Sequence, residues 1–242
     1  MYLTRVFLDP SSQAVQLDLG TPESLHKTVM RAFPNEDGPT ARARGGVLYR
    51  LEREADGRIV LLIQSANRPT PNRWPPGYAL DLASDPDLAL VLVGGNPAVR
   101  EVTGEFRNIS EGRCFGFRLC ANTTRKIATK TGPDGKRQNG RRVPVRGDAL
   151  RAQWLRRRAE GAGFAVDEAS LRITEVAPNS HVGPKSITMA GTIFEGALVV
   201  RNAQLFRSAL AFGIGPGKAY GFGLLSLRPL RGHCQPSDGT KE

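Results

Sequence analysis

"GIGPGKAYGFG", residues 213–223, places five glycines, a proline and one lysine near the end of a 242-residue chain. Glycine at that density costs folding entropy, so the stretch predicts a sharp turn or backbone that must come close to something. Its flanks narrow the choice. A dinucleotide-binding loop follows a strand and opens a long βαβ unit; here the helical pattern "NAQLFRSALAF" (202–212) precedes and one short strand, "FGLLSL" (222–227), follows. A phosphate-binding P-loop needs Ser or Thr after its lysine, but Ala219 follows Lys218. "KAYGFGLL" (218–225) partly matches the basic–aromatic–Gly–aromatic signature of RNA-binding sheets. Tyr220 and Phe222 would then stack on bases while Lys218 meets phosphate. That signature lies on the third strand of an RNA-recognition motif, and this stretch runs into the last. The alternative is a glycine-rich turn with Phe222 in the core, and pattern alone leaves both open.

Working outward, the second half of the chain reads strand (113–121, in "RCFGFRLCANT"), helix, two strands (164–175 and 187–200), helix (202–212) and last strand. The first of these helices lies in "VRGDALRAQWLRRRAEGAGF" (145–164). Ala152, Leu155 and Ala159 form its stripe, Leu150 and Trp154 lie beside it, and Gly161 or Gly163 ends it. The first half repeats the order. A strand covers 1–9. "TPESLHKTVMRAF" (21–33) is a helix with Thr21 as cap, Pro22 in the first turn and Leu25, Val29, Ala32 and Phe33 inward. "VLYRLE" and "RIVLLIQS" form a hairpin through Asp56-Gly57. A proline-rich loop (67–78), an apolar segment (87–93) and a strand (99–107) close the unit. Each half is β-α-β-β-α-β, which predicts an α+β protein of two tandem ferredoxin-like domains, 1–107 and 108–242. No repeat is visible in the sequence itself.

The net charge is +11. Such a surface attracts polyanions, nucleic acid first. The charge is clustered: Arg125, Lys126, Lys130, Lys136, Arg137, Arg141, Arg142, Arg146, Arg151, Arg156, Arg157 and Arg158 face only Asp134 and Asp148 within that segment. A groove tracking an RNA backbone would use such a block, each phosphate contact adding about 0.7–0.9 to the salt slope. No run approaches the roughly 18 apolar residues of a membrane span, and no signal peptide is expected at "MYLTRVFLDP". Three cysteines (Cys114, Cys120, Cys234) lack metal-ligand spacing and fit reduced thiols in a cytoplasm.

Of three histidines, His181 falls in a hairpin tip and His233 in the tail. His26 lies on the first helix, three residues after Glu23 and beside Lys27, so Glu23 and His26 are helix-surface neighbours. The wheel puts Glu23, Lys27 and Met30 on the outer face. This is an acid/base pair with a cation beside it, or an ordinary solvated helix face. No zinc spacing and no G-x-S-x-G elbow occurs, so any catalysis is expected to use neither metal nor cofactor.

"MYLTRV" (1–6), "LHKTV" (25–29), "FRLCANTTRK" (117–126), "IFEGALVV" (193–200) and "GIGPGKAYGFGLLSL" (213–227) together resemble one family along its whole length. It is the type I-E CRISPR-associated endoribonuclease, or CasE. The resemblance implies metal-free cleavage of precursor CRISPR RNA at the base of each repeat stem-loop, and partnership with the other Cascade subunits. It implies that Gly213, Gly215, Gly217, Lys218 and Tyr220 approach RNA beside the active site, glycine leaving room for phosphate. His26 matches the family's catalytic histidine; Glu23 stands where the family often has tyrosine. The implied reaction is 2′-OH attack on the adjacent phosphate, giving a 2′,3′-cyclic phosphate, or a 3′-phosphate, and a 5′-OH. His26 would be acid or base, Glu23 the complementary base or a support for the ring, and Lys27 a stabiliser of the phosphorane. The other reading makes Glu23 a neutral replacement that leaves His26 to work with Lys27. By position in the family, Lys126, Lys130, Arg141 and Arg142 would follow the RNA backbone, and Lys185 would enter the stem groove. Two rivals remain at this level: a silent hairpin-binding subunit and a general basic ribosome- or nucleoid-associated protein.

Overall fold

A computed structural model describes residues 1–34, 38, 40–92, 94–127, 142–176 and 191–230. Its elements in chain order are β1 (Tyr2–Phe7), α1 (Gln13–Gly20), α2 (Pro22–Arg31), α3 (Ala41–Arg44), β2 (Leu48–Arg53), β3 (Ile59–Ser65), α4 (Pro86–Val91), β4 (Ala98–Glu101) and α5 (Thr103–Arg107). They continue with β5 (Cys114–Ala121), β6 (Thr124–Lys126), β7 (Arg142–Pro144), α6 (Asp148–Gly161), β8 (Phe164–Val166), β9 (Arg172–Val176), β10 (Gly191–Val200), α7 (Ala203–Phe212) and β11 (Leu225–Pro229). Mixed helices and antiparallel sheets thus make up the molecule.

The first sheet has the order β2-β3-β1-β4, antiparallel throughout. The second has the order β11-β5-β10-β8, with β9 also paired to β10. In the first sheet β1 lies between β3 and β4, and in the second β5 lies between β10 and β11. Apolar alternation explains the burial. Val6 and Leu8 of the β1 segment meet Leu25 and Val29 of α2, and Ala32 and Phe33 just after it, in one core. Phe117, Leu119, Phe194 and Leu198 meet Trp154 and Leu155 from α6 and Phe206 from α7 in the other. Removing such side chains from water is worth about 1.5–3 kcal/mol each.

Several expected boundaries move. The 99–107 strand stops at Glu101, and Thr103–Arg107 is helical; Gly104 suits a strand poorly. The 164–175 strand breaks after Val166, because the Asp167 carboxylate accepts from Ala169 N and the chain makes a short 3-10 turn. The segment around 87–93 contains helix α4, whose Asp85 cap accepts from Leu88 N. Helices α1 and α3 and the small β6-β7 ribbon are additions to the expected set. Thr21 precedes α2 without a side-chain capping bond. Met30, expected outside, packs against the first core.

The two sheets are joined by buried polar contacts. Arg50 on β2 is 3% exposed. Its guanidinium donates to Leu224 O (3.0 Å), Ser226 Oγ (2.9 Å) and Glu52 (2.8 Å). Glu52 also holds Arg118 at 3.0 Å. Gln64 Nε2 donates to Leu210 O at 2.6 Å. These bonds seat the end of α7 and the start of β11 against β2 and β3, which fixes where the intervening glycine stretch lies.

Candidate active site

Helix α2 presents His26 half-buried, with Leu25 and Val29 anchoring the inner face beneath it. The His26 ring stacks on Tyr49 of β2, centroids 6.3 Å apart. Tyr49 is fully buried, and its hydroxyl donates to Ala219 O at 2.5 Å. Ala219 belongs to the glycine stretch, in a 3-10 turn over Lys218–Tyr220 that packs on α2. Tyr49 therefore ties the histidine helix to the glycine turn.

All five glycines of the stretch take positive φ. At Gly213 the angle is 76°, and a Cβ would lie 2.8 Å from Leu48 Cδ2 and 2.9 Å from Gly223 O. At Gly223 it is 90°, with Ile214 O at 2.9 Å. Protein atoms fill the space that side chains would need. The glycines permit a tight, packed turn, and at Gly213, Gly215, Gly217 and Gly223 the protein's own atoms need the room. Phe222 is buried, so base stacking by that ring is corrected. Lys218 and Tyr220 remain partly accessible.

Electrostatically the site is a cluster of cations. Burial, and then the nearby Arg42, hold the His26 pKa below its ordinary value. The buried Nδ1 of His26 has no hydrogen-bond partner. Lys218 is held below the ordinary lysine range by burial, Arg42 and Arg158, in that order. Burial pushes the Tyr49 phenol up, so it stays protonated and keeps donating to Ala219. Glu23 is half-buried and makes no hydrogen bond or ion pair with His26. Lys27 is exposed.

Beside the glycine turn, Arg125, Lys126, Arg142, Arg157 and Arg158 line a cavity of about 460 Å³ with Trp154 at its back. Arg158 lies 5.3 Å over the Trp154 ring, against which Gly215 packs. Not every cation of the basic block joins it. Arg151 is buried against Asp148 and Glu175, and Arg156 pairs with Glu168. The block is thus more neutralised than its local sequence implies. Lys130, Arg141, Lys185, His181 and His233 lie outside the described residues. Among the described residues, no three His, Cys, Asp or Glu side chains are placed to hold a metal ion, and no helix is long and apolar enough to cross a membrane.

Sequence reasoning missed Arg42 and Tyr49. Neither sits in a recognisable motif; Arg42 falls on a four-residue helix and Tyr49 reads as an ordinary strand aromatic.

A helix-borne histidine, a glycine-rich turn and a cationic cavity on paired antiparallel sheets suit a protein that handles RNA phosphates. The profile of the family described as "CRISPR associated protein" matches residues 1–229, and the chain belongs to that family, in its type I-E CasE/Cse3 group. It is 29% identical to the CRISPR-associated endoribonuclease Cse3 of Thermus thermophilus, covering 95% of this chain and all of that one. It is 28% identical to the Cascade subunit CasE of Escherichia coli, again over 95% of this chain and 100% of the relative. Among solved structures it is similar to Cse3 bound to a 19-nucleotide RNA, with TM-score 0.72, 28% identity and coverage of 94% and 99% of the two chains.

Proposed function

We propose that this chain is a metal-independent endoribonuclease that cuts precursor CRISPR RNA at the base of the repeat stem-loop and serves with the other Cascade subunits. The observation that carries the reading is the pairing of half-buried His26 with the Lys218 turn through Tyr49. The strand order of each sheet supports two ferredoxin-like domains, 1–107 and 108–242. The likeness to RNA-bound Cse3 and to a Cascade subunit supports the substrate and the partners. The thiol of buried Cys120, outside any disulfide, supports a cytoplasmic setting.

In this reading neutral His26 takes the proton of the ribose 2′-OH. The 2′ oxygen forms a bond to phosphorus, the bond to the 5′ oxygen breaks, and protonated Lys218 supplies the leaving oxygen with its proton. The products are a 2′,3′-cyclic phosphate and a 5′-OH. Burial suits both groups: it keeps the histidine unprotonated and makes the lysine a stronger acid. Glu23 shares protons with His26 or orients its ring when RNA is bound, and Lys27 contacts a flanking phosphate. Gly213, Gly215 and Gly217 shape the turn that delivers Lys218 and Tyr220 to RNA. Lys126, Arg142 and their neighbours in the cavity, with Lys130, Arg141 and Lys185, take the RNA backbone.

Single-turnover cleavage of the repeat hairpin in EDTA tests this. The natural chain should cut, His26→Ala should slow cutting about 10²–10⁴-fold, and a 2′-deoxy ribose before the scissile phosphate should block it. Tight binding of the hairpin without cutting would instead make the chain a silent RNA-holding subunit.

A further inference from the structure

Lys27 was the expected partner for the phosphorane's charge, but it stands exposed on the outer face of α2. A different cation occupies the inner side of the site. Arg42, on α3, is half-buried, and its Nη1 donates to Val47 O at 3.0 Å. Val47 lies two residues before Tyr49, whose ring stacks on His26. A guanidinium has five N–H donors. Among the described residues no carboxylate pairs with this one: Asp18 accepts from Tyr78 at 2.8 Å, and Glu23 makes no bond to it. A half-buried cation with no counter-ion among the described residues, next to Lys218, is an arrangement that an anionic ligand satisfies.

We propose that Arg42 is a catalytic residue of this chain, its guanidinium donating to the non-bridging oxygens of the scissile phosphate as negative charge builds in the phosphorane. The inference rests on the endoribonuclease reading above. A planar fork suits two phosphate oxygens better than an ammonium does. The charge also acts on the free protein, since Arg42 is one of the two causes that hold His26 neutral. The charged and titratable groups around the His26–Tyr49 pair are Glu23 and Lys27 on α2, Asp18 on α1, Arg42 on α3, and Lys218 and Tyr220 on the glycine turn. Of these, Arg42 alone is both inward and permanently charged.

The test compares the natural chain, His26→Ala, Arg42→Gln and Arg42→Lys in single-turnover cleavage of the repeat hairpin. Affinity is measured in parallel on the uncleavable 2′-deoxy hairpin. Arg42→Gln should cut about 10²–10³-fold more slowly, with affinity changed far less than rate. The acidic limb of its kcat/KM profile should move to higher pH. Arg42→Lys, which keeps the charge and loses the fork, should fall between, and it decides the matter if Arg42→Gln does not fold. Cutting by either folded variant at the natural rate overturns the assignment. So does an equal fall in rate and affinity, which would make Arg42 a simple binding contact. If the natural chain cuts, His26→Ala does not and Arg42→Gln cuts normally, only the Arg42 inference fails. If the natural chain does not cut, both fail.

Discussion

The chemistry of His26 is set by what surrounds it rather than by its identity. Burial penalises the imidazolium, Arg42 adds to that penalty, and no carboxylate bonds the ring to oppose them. The folded pKa thus lies below the unfolded one. The folded state binds fewer protons, so the neutral ring's contribution to stability is present above about pH 6.5 and is lost as pH falls toward the folded value. Activity should follow the same sign. The acidic limb of kcat/KM is expected below pH 6.5, with the rate flat at neutral pH. A pH titration of hairpin cleavage measures it, and a limb above 6.5 would contradict a histidine held neutral. Cys120 illustrates the other side of burial: its thiol is pushed up to about 11 and stays inert near neutral pH.

Among the elements, the glycine turn is the one whose shape the site depends on. Gly213 leaves α7 with φ 76°, against Leu48 of the first sheet and the carbonyl of Gly223. An alanine there meets both a left-handed backbone and atoms under 3 Å away. Gly213→Ala is therefore expected to cost about 1–3 kcal/mol. It should also displace Lys218, so cleavage should drop along with thermal stability. Melting curves and single-turnover rates on the same variant check this; an unchanged melting temperature would show that the turn relaxes freely. This element also shows how far the sequence could be read. Five glycines between a helix and a strand announced a turn. Whether they cleared space for a ligand or for the protein's own atoms depended on Leu48, Trp154 and Ile214.

At the scale of the molecule, the site exists because two sheets are held in register with one another. Arg50 makes that link with four hydrogen bonds, to Arg118 O, Leu224 O and Ser226 Oγ of the other half and to Glu52, deep in the interface. Arg50→Met keeps much of the apolar stem but leaves Glu52 with Arg118 alone and Leu224 O without this donor. Leaving buried acceptors without a donor in this way typically costs about 1–3 kcal/mol. Chemical denaturation should show that loss, and cleavage should fall in the surviving folded fraction as the glycine turn loosens from α2. A loss below about 1 kcal/mol would mean that Gln64 and Tyr49 suffice to hold the halves together.

The sequence by itself determined the main strands, the histidine helix and the basic character. These are through-chain properties: the spacing of Leu25 and Val29 makes α2 amphipathic whatever it packs on, and net charge needs no fold. It also singled out His26 through resemblance to a family motif. The strand breaks at Glu101 and Val166 escaped it, because local bonds such as Asp167 to Ala169 compete with apolar pattern. Only the tertiary structure decided which groups share the site. Tyr49 and Ala219 are 170 positions apart, and Arg42 belongs to a helix too short to leave a pattern. The same step removed Phe222 from the surface and paired Arg151 and Arg156 with distant carboxylates. Proximity, desolvation and the pairing of charges act through space, and folding alone brings those partners together.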